Sequence, residues 1–396
     1  MSLDFQSIRE QVKQLGDTAV LRERELQGKK KLAIELLEKN ADNLGELRQK
    51  VGEVVRNYDA SLRCALPVEE AMTASFPLPN LPPGLTIIAA DGSQINPDRN
   101  AEVNYAVVNV GAIQMSSDSG APPRTVTKSQ LMFDEQLYTP SGRRSEASLA
   151  LKRDLNERQV LAELAEEFSH LVVTFTDGPM ELWEGIGGDS AEREEFQESL
   201  IQYREALESL HEQGVITAGY VDKPGSNLVV RLLEVLMTPQ AELPEIKKLR
   251  HLRGVTDATL YGEILAAGER SPVFAIQSQS ANSYPGPISL HFFYLNVGRE
   301  GDPYLARVEV PAWVVADQSM LDTLHASLVS QCRLMGVRPY PYLLHRAHET
   351  AVVKLPEKEQ VTAMIVQELR RRGVQVGEIS SKQFAKQGQG RTRING

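Results

Sequence analysis

The polarity pattern changes character several times along the chain. Over about the first 60 residues apolar positions recur at helical spacing, at Ile8, Val12 and Leu15 and again at Leu44, Leu47, Val51 and Val54. Glu, Lys, Arg, Gln and Leu dominate there, and proline is absent before Pro67. Two helices are predicted, with a break near residues 40–43. The heptads are too irregular for a clean coiled coil, so a helical arm is expected, packed on its own domain or on a second subunit. The stretch FPLPNLPPG (76–84) then reads as a linker, because prolines and a glycine crowd it.

After the linker the period shortens. LTIIAAD (85–91) reads as a buried strand, and residues 103–115 and 124–131 as two more. A long helix is predicted over 145–169 and an apolar, β-branched strand over 171–176, ending at Asp177. A helix over 192–213 and a strand over 215–221 follow, which gives the order β-β-β-α-β-α-β. Three strands in succession and then alternation predict an α/β fold, a mixed sheet with helices on its faces. Residues 288–297 and 304–310 look like a hairpin at a sheet edge, followed by helices around 319–335, 343–353 and 359–372. The layout is an N-terminal helical arm (1–75), the linker (76–84), a main domain (85–355), and a C-terminal helix with a basic tail (356–396). That tail carries Lys382, Lys386, Arg391 and Arg393, and reads as a frayed terminus or a flexible phosphate-binding arm.

Composition narrows the function classes. Lys and Arg number 43 against 53 Asp and Glu, a formal charge of −10. A protein that coats nucleic acid with a global positive field is excluded, so any such contact needs a local basic surface or metal ions. Two cysteines, Cys64 and Cys332, build neither a disulfide framework nor a zinc site, and point to a reducing, cytoplasmic setting. No apolar run reaches the roughly 18 residues of a membrane span, and the first residues lack a signal-peptide core.

The candidate chemistry is acidic. Asp91 and Asp177 each follow an apolar strand and precede a glycine, and a turn is the plain reading of either dipeptide alone. Two strands of one sheet that both end in Asp-Gly place carboxylates side by side, an arrangement that needs a cation or a shared proton. Between them the helix LALKRDLNERQVLAELAEEF offers Glu157 on a face shared with Ala150, Leu161 and Leu164, while Arg153 at i−4 gives it a local ion pair and Asp154 is a rival one turn away. In PYPYLLHRAHETAVV, His345 and His348 stand three apart on a predicted helix, with Tyr340 upstream. Asp, Glu, Asp and His form a set rich in hard oxygen donors, which favours Mg²⁺ or Mn²⁺ over zinc.

The motifs in order are strand-DGSQ, R-x-x-x-E on a helix, strand-DGPM, and finally Tyr340-Pro341 with Ala347-His348. Together with FFYLNVG (292–298) and ARVEVPAW (306–313) they resemble the NurA nucleases over about residues 85–353. The resemblance implies an RNase H-like fold and a metal-dependent DNA nuclease, with 5′→3′ exonuclease and single-strand endonuclease activity supported by Mn²⁺ (or Mg²⁺), two ions in the site. It implies a homodimer that works with a HerA-type hexameric ATPase in DNA end processing. Carried over by motif, Asp91, Glu157, Asp177 and His348 hold metal and Tyr340 sits in the site. Lys223, Arg153 and Arg346 are DNA-contact candidates, and Arg99 is a further one for a basic channel. The segment 238–253 looks like a lengthened loop. Two other classes stay open: a catalytically weak adaptor docked on a DNA translocase, and a metal-dependent phosphoesterase of small substrates.

Overall fold

Element ends follow local chemistry. The Asp4 carboxylate accepts the Gln6 and Ser7 amides and starts the first helix. Ser145 does the same for the helix that begins at Glu146, accepting from the Ser148 amide. The computed structural model describes residues 3–98, 101–117, 120–139, 142–184 and 190–376. Arg99 and the four cations of the tail lie outside the described residues. In chain order the elements are α1 (Phe5–Lys39), α2 (Leu44–Asn57), β1 (Cys64–Pro67), β2 (Thr86–Ile95), β3 (Ala106–Ser116), β4 (Arg124–Met132), β5 (Tyr138–Thr139), β6 (Gly142–Arg143), α3 (Glu146–Ala165), β7 (Val172–Asp177), α4 (Ser190–Glu212), β8 (Ile216–Val221), α5 (Leu228–Met237), α6 (Asp257–Tyr261), β9 (Phe274–Gln277), β10 (Leu290–Asn296), β11 (Leu305–Pro311), α7 (Ala312–Ala316), α8 (Gln318–Leu334), α9 (Tyr342–Ala351) and α10 (Leu355–Arg371). They group into two units, one from residues up to 81 with 178–181 and 218–340, the other from 82–177, 182–217 and 341 onward. The stretch 85–355 therefore contributes to both.

The first unit holds antiparallel strands in the order β1-β9-β10-β11-β8. The β10–β11 hairpin expected at a sheet edge is interior, because β9 pairs with β10 and β8 with β11. Near-continuous burial along both strands agrees with neighbours on each side. Tyr261 stacks on Tyr294 and Phe274 on Phe292, which builds an aromatic core. Helices α1 and α2 pack through Ala33, Leu37, Leu47, Val51 and Val54, whereas Ile8, Val12 and Leu15 are exposed. Segment 238–253 is anchored rather than loose. Buried Arg231 donates to the carbonyls of Ile246 and Leu249, and its partner Glu234 accepts the Leu252 amide.

The second unit carries a mixed sheet ordered β7-β2-β3-β4, antiparallel except for the β2–β7 pair. A three-strand meander followed by a helix and a strand parallel to the first is the RNase H-like arrangement. Both faces of this sheet are covered. On one face Ala106, Val108 and Met132 pack with Leu137 and Leu149 of the α3 side. On the other, Ile95, Val103, Tyr105 and Val107 pack with Val366 of α10. The Tyr105 hydroxyl, which meets Thr362 at 2.8 Å, ties that helix down further.

Two glycines set how closely the helices approach. A Cβ at Gly92 would meet Arg153 Cγ at 2.4 Å and Glu157 Oε1 at 2.6 Å. A Cβ at Gly111 would meet the Ala351 amide nitrogen at 2.5 Å. Gly111 pairs with Asp91 in the β2–β3 register, so it shares a face with Asp91, and Gly92 looks the opposite way. Helices α3 and α9 thus lie on opposite faces of the sheet, each against bare backbone.

Gly111→Ala should cost about 1–3 kcal/mol, because the new methyl meets helix backbone that cannot rotate away. Gly45→Ala, with nothing within 4 Å of the added carbon, should be near neutral, and urea denaturation of the two variants compares them directly. A second expectation concerns buried His325, whose ring meets the Gly268 carbonyl through Nε2 at 2.7 Å. Burial pulls its pKa down to about 4. The unfolded chain then binds the proton first, so stability is full above the unfolded value and is lost as pH falls from about 6.5 to about 4. The loss is roughly 3 kcal/mol, and His325→Gln should remove that part of the acid sensitivity in denaturation curves at pH 7 and pH 4.5.

Candidate active site

The site is built on β2. The strand runs through Asp91 rather than ending there, which corrects the strand-terminus reading. Gly92 explains the difference: its backbone is extended, and it is needed for space, not for a turn. Asp91 Oδ1 accepts the Gly92 amide at 2.8 Å, and Oδ2 meets His348 Nδ1 at 2.7 Å. His348 comes from α9, which is held in place by the Ala351 carbonyl. That oxygen accepts from the Ser93 hydroxyl and from Asn109 Nδ2 at 2.7 Å. A carboxylate only accepts, so Nδ1 donates to Asp91 and Nε2 is the ring nitrogen left over. The His348 side chain is 62% exposed, so that nitrogen is open to a ligand or to water.

From the other face α3 brings a second acidic group. Glu157 is buried at 6% exposure, beside the Gly92 backbone. Arg153 lies between the two carboxylates, 2.7 Å from Asp154 and 3.5 Å from Glu157. Burial raises the Glu157 pKa well above the usual range, and the charges of Asp154 and Asp91 push the same way against Arg153 and Arg158. Burial also raises Asp154, offset in part by Arg153. For Arg153 itself burial lowers the pKa, but Asp154, Glu157 and Asp91 outweigh it and the net shift is upward. The charge of Asp91 therefore reaches all three α3 groups.

Asp177 closes β7. The last parallel pair is Ala90 with Thr176, so Asp91 and Asp177 are the next residues on adjacent strands, at one level and on one side. Here the glycine does make a turn, since Gly178 has φ +91°. Sequence reasoning missed Arg158. It is buried, and it donates to Thr217 at 2.7 Å and to Thr176 at 2.9 Å, next to Asp177. The Tyr203 ring lies 5.6 Å from its guanidinium.

Of the remaining candidates, Arg346 belongs to the second unit and Tyr340 and Lys223 to the first. Arg346 is exposed on α9 and pairs with Glu349, which also contacts His345. Tyr340 belongs to the first unit, edge-on to Tyr220 at 5.6 Å. Lys223 is also in the first unit, in the loop after β8.

Among the described residues no group of three or more His, Cys, Asp or Glu converges to hold a metal ion. The donors nonetheless fit a hard divalent cation. Glu157 is a buried oxygen donor whose pKa is raised first by burial and then by the charges of Asp154 and Asp91, and a cation would relieve that. Mg²⁺ commonly uses one or two carboxylates plus substrate phosphate rather than an all-protein cage, and Mn²⁺ likewise suits carboxylate and water ligands.

No curated protein matches the chain significantly. Among solved structures, the NurA nuclease from Sulfolobus solfataricus is similar at 11% identity and TM-score 0.49, over 84% of this chain and 98% of that one. The catalytic domain of human Endonuclease V is similar at 12% identity and TM-score 0.30, covering 82% and 98%. LC9-RNase H1 matches at 14% identity and TM-score 0.20, over 37% of this chain and 67% of that one. These scores fall below 0.5, so family membership rests on a sequence match instead. Residues 85–353 match the NurA domain, about two thirds of the chain, and the protein belongs to the NurA family.

Proposed function

We propose that the protein is a metal-dependent DNA nuclease that hydrolyses phosphodiester bonds at the Asp91 site. The observation that carries the reading is the Asp91–His348 pair, 2.7 Å apart on the central strand of an RNase H-like sheet, with buried Glu157 reaching the same backbone from the opposite face. Asp91, Glu157, Asp177 and His348 are the residues that would hold Mn²⁺ or Mg²⁺. Two such ions would supply positive charge for the oxygens of the displacement.

The chain's own groups have distinct tasks. Asp91 fixes the imidazole through Nδ1, so Nε2 is the His348 nitrogen that would meet the ion. Arg153 donates twice to Asp154 Oδ1, at 3.0 and 2.7 Å, and stands 3.5 Å from Glu157, so of the two α3 acids Glu157 is the less firmly held. Arg346 on the exposed side of α9 is a contact for the DNA backbone. Phosphate contacts without base readout make binding salt-sensitive and independent of sequence. The finer reading, supported by family membership, is 5′→3′ exonuclease and single-strand endonuclease action by a homodimer working with a HerA-type hexameric ATPase in DNA end processing.

End-labelled single- and double-stranded DNA should be cut with Mn²⁺ and left intact with EDTA. Asp91→Asn, Asp177→Asn and Glu157→Gln should each lower the rate more than ~100-fold while thermal unfolding stays cooperative. Asp154→Asn should lower it less than ~10-fold, since Arg153 already occupies that carboxylate. DNA bound but not cut by the wild type would support the adaptor class instead. Hydrolysis of a chromogenic phosphomonoester without DNA cleavage would support the small-substrate phosphoesterase.

A further inference from the structure

A cleft of about 400 Å³ opens in the first unit, between the turn after β10 and the segment that follows α8. The volume lies within the range of small-ligand sites and suits about one nucleotide. Arg299 and Arg333 line it, and neither guanidinium has an ion pair or a side-chain hydrogen bond among the described residues. Glu300 and Asp302 also line it; Asp302 meets Arg299 through the backbone, but neither carboxylate has a contact with a guanidinium group among the described residues. Tyr304 forms an aromatic wall whose orientation is fixed. Its hydroxyl contacts both Asp222 oxygens, at 2.8 and 3.1 Å, and Lys223 Nζ lies 5.7 Å from its ring centre. Lys223 has φ +43°, a backbone region that a lysine rarely takes. Strain of this kind persists where surrounding structure imposes it, and it places a cation beside the ring.

Two unpartnered guanidinium groups, a held aromatic ring and an ammonium group are the complement of a phosphate joined to a base. We infer that this cleft binds one nucleotide unit, with Arg299 and Arg333 on its phosphate and Tyr304 against its base. That unit belongs to a segment of single-stranded DNA, an assignment that rests on the nuclease reading above. A free nucleoside monophosphate carries the same chemistry, so both probes are needed.

The test measures binding, not cleavage. Fluorescence anisotropy of a labelled oligothymidylate is followed across a salt series with EDTA present, for the wild type, Arg299→Ala/Arg333→Ala, Tyr304→Phe and Tyr304→Ala. The double arginine variant should weaken binding about tenfold and flatten the log–log salt slope by about 1.4, the value for two lost phosphate contacts on a single strand. Tyr304→Phe, which keeps the ring but frees it from Asp222, should lose less than about twofold, and Tyr304→Ala should lose roughly fivefold. Deoxythymidine monophosphate that competes at equal nucleotide concentration would give the site to the free nucleotide and overturn the strand as its source. Oligothymidylate binding that is unchanged in every variant would overturn the cleft and leave the nuclease reading standing. A wild type that binds neither probe, yet cuts DNA with Mn²⁺, would do the same.

Discussion

The distance between helix and sheet in the second unit is set by two missing side chains. Gly92 and Gly111 leave bare backbone on opposite faces of β2 and β3, and α3 and α9 lie against it. An ordinary residue at Gly111 would push the α9 backbone outward by about an ångström, and one at Gly92 would displace the Arg153 and Glu157 side chains. Glu157 would then leave the β2 backbone, or His348 would leave Asp91. The close approach also explains why the backbone groups of α9 are so firmly used. Both Ser93 and Asn109 spend their side chains on the single Ala351 carbonyl at the helix end. Packing, capping and site geometry are therefore one constraint seen at three scales.

That constraint creates an electrostatic cost. Bringing Glu157 to the sheet buries a carboxylate within reach of Asp91 and Asp154, and burial alone already disfavours its charge. Arg153 and Arg158 offset part of this from neighbouring positions on α3. They do so differently. Arg153 is half-exposed and touches the acids themselves. Arg158 is buried and is held by Thr176 and Thr217, so it stiffens the end of β7 as it supplies positive charge. An arrangement with more negative than positive charge close to the strand is poorly balanced as a purely structural cluster. It is well suited to a cation that arrives with a phosphate.

The sequence made much of this legible, for physical reasons. Two Asp-Gly pairs after apolar strands, an acid on a helical stripe and a histidine at the right spacing stand out because buried or strand-borne polar groups are uncommon. The succession of elements in the second unit, and its mixed sheet, followed from three β-patterned runs ahead of the α3 segment. Other parts were hidden. The strands β1 and β9 are four residues each, too short for a period to show, and without them the β10–β11 hairpin looks like an edge. Arg158 sits in an acid-rich helix where an arginine reads as a solvated partner, and only the threonines across from it reveal otherwise. The interleaving of the two units, with residues 178–181 crossing into the first, leaves no mark in composition.

The two Asp-Gly pairs show where a motif stops and geometry begins. Both follow an apolar run, and both look like the same turn. In DGPM the glycine takes φ +91°, a conformation that turns the chain immediately after Asp177. In DGSQ the glycine stays in the strand, and its function is to be empty on the side where Arg153 and Glu157 lie. One needs freedom of dihedral angle and the other needs freedom from volume, and alanine violates each for a different reason. Identical letters thus place two carboxylates at one level of adjacent strands by unrelated means. What the pair shares is its consequence: neither aspartate is followed by a side chain that could cover it.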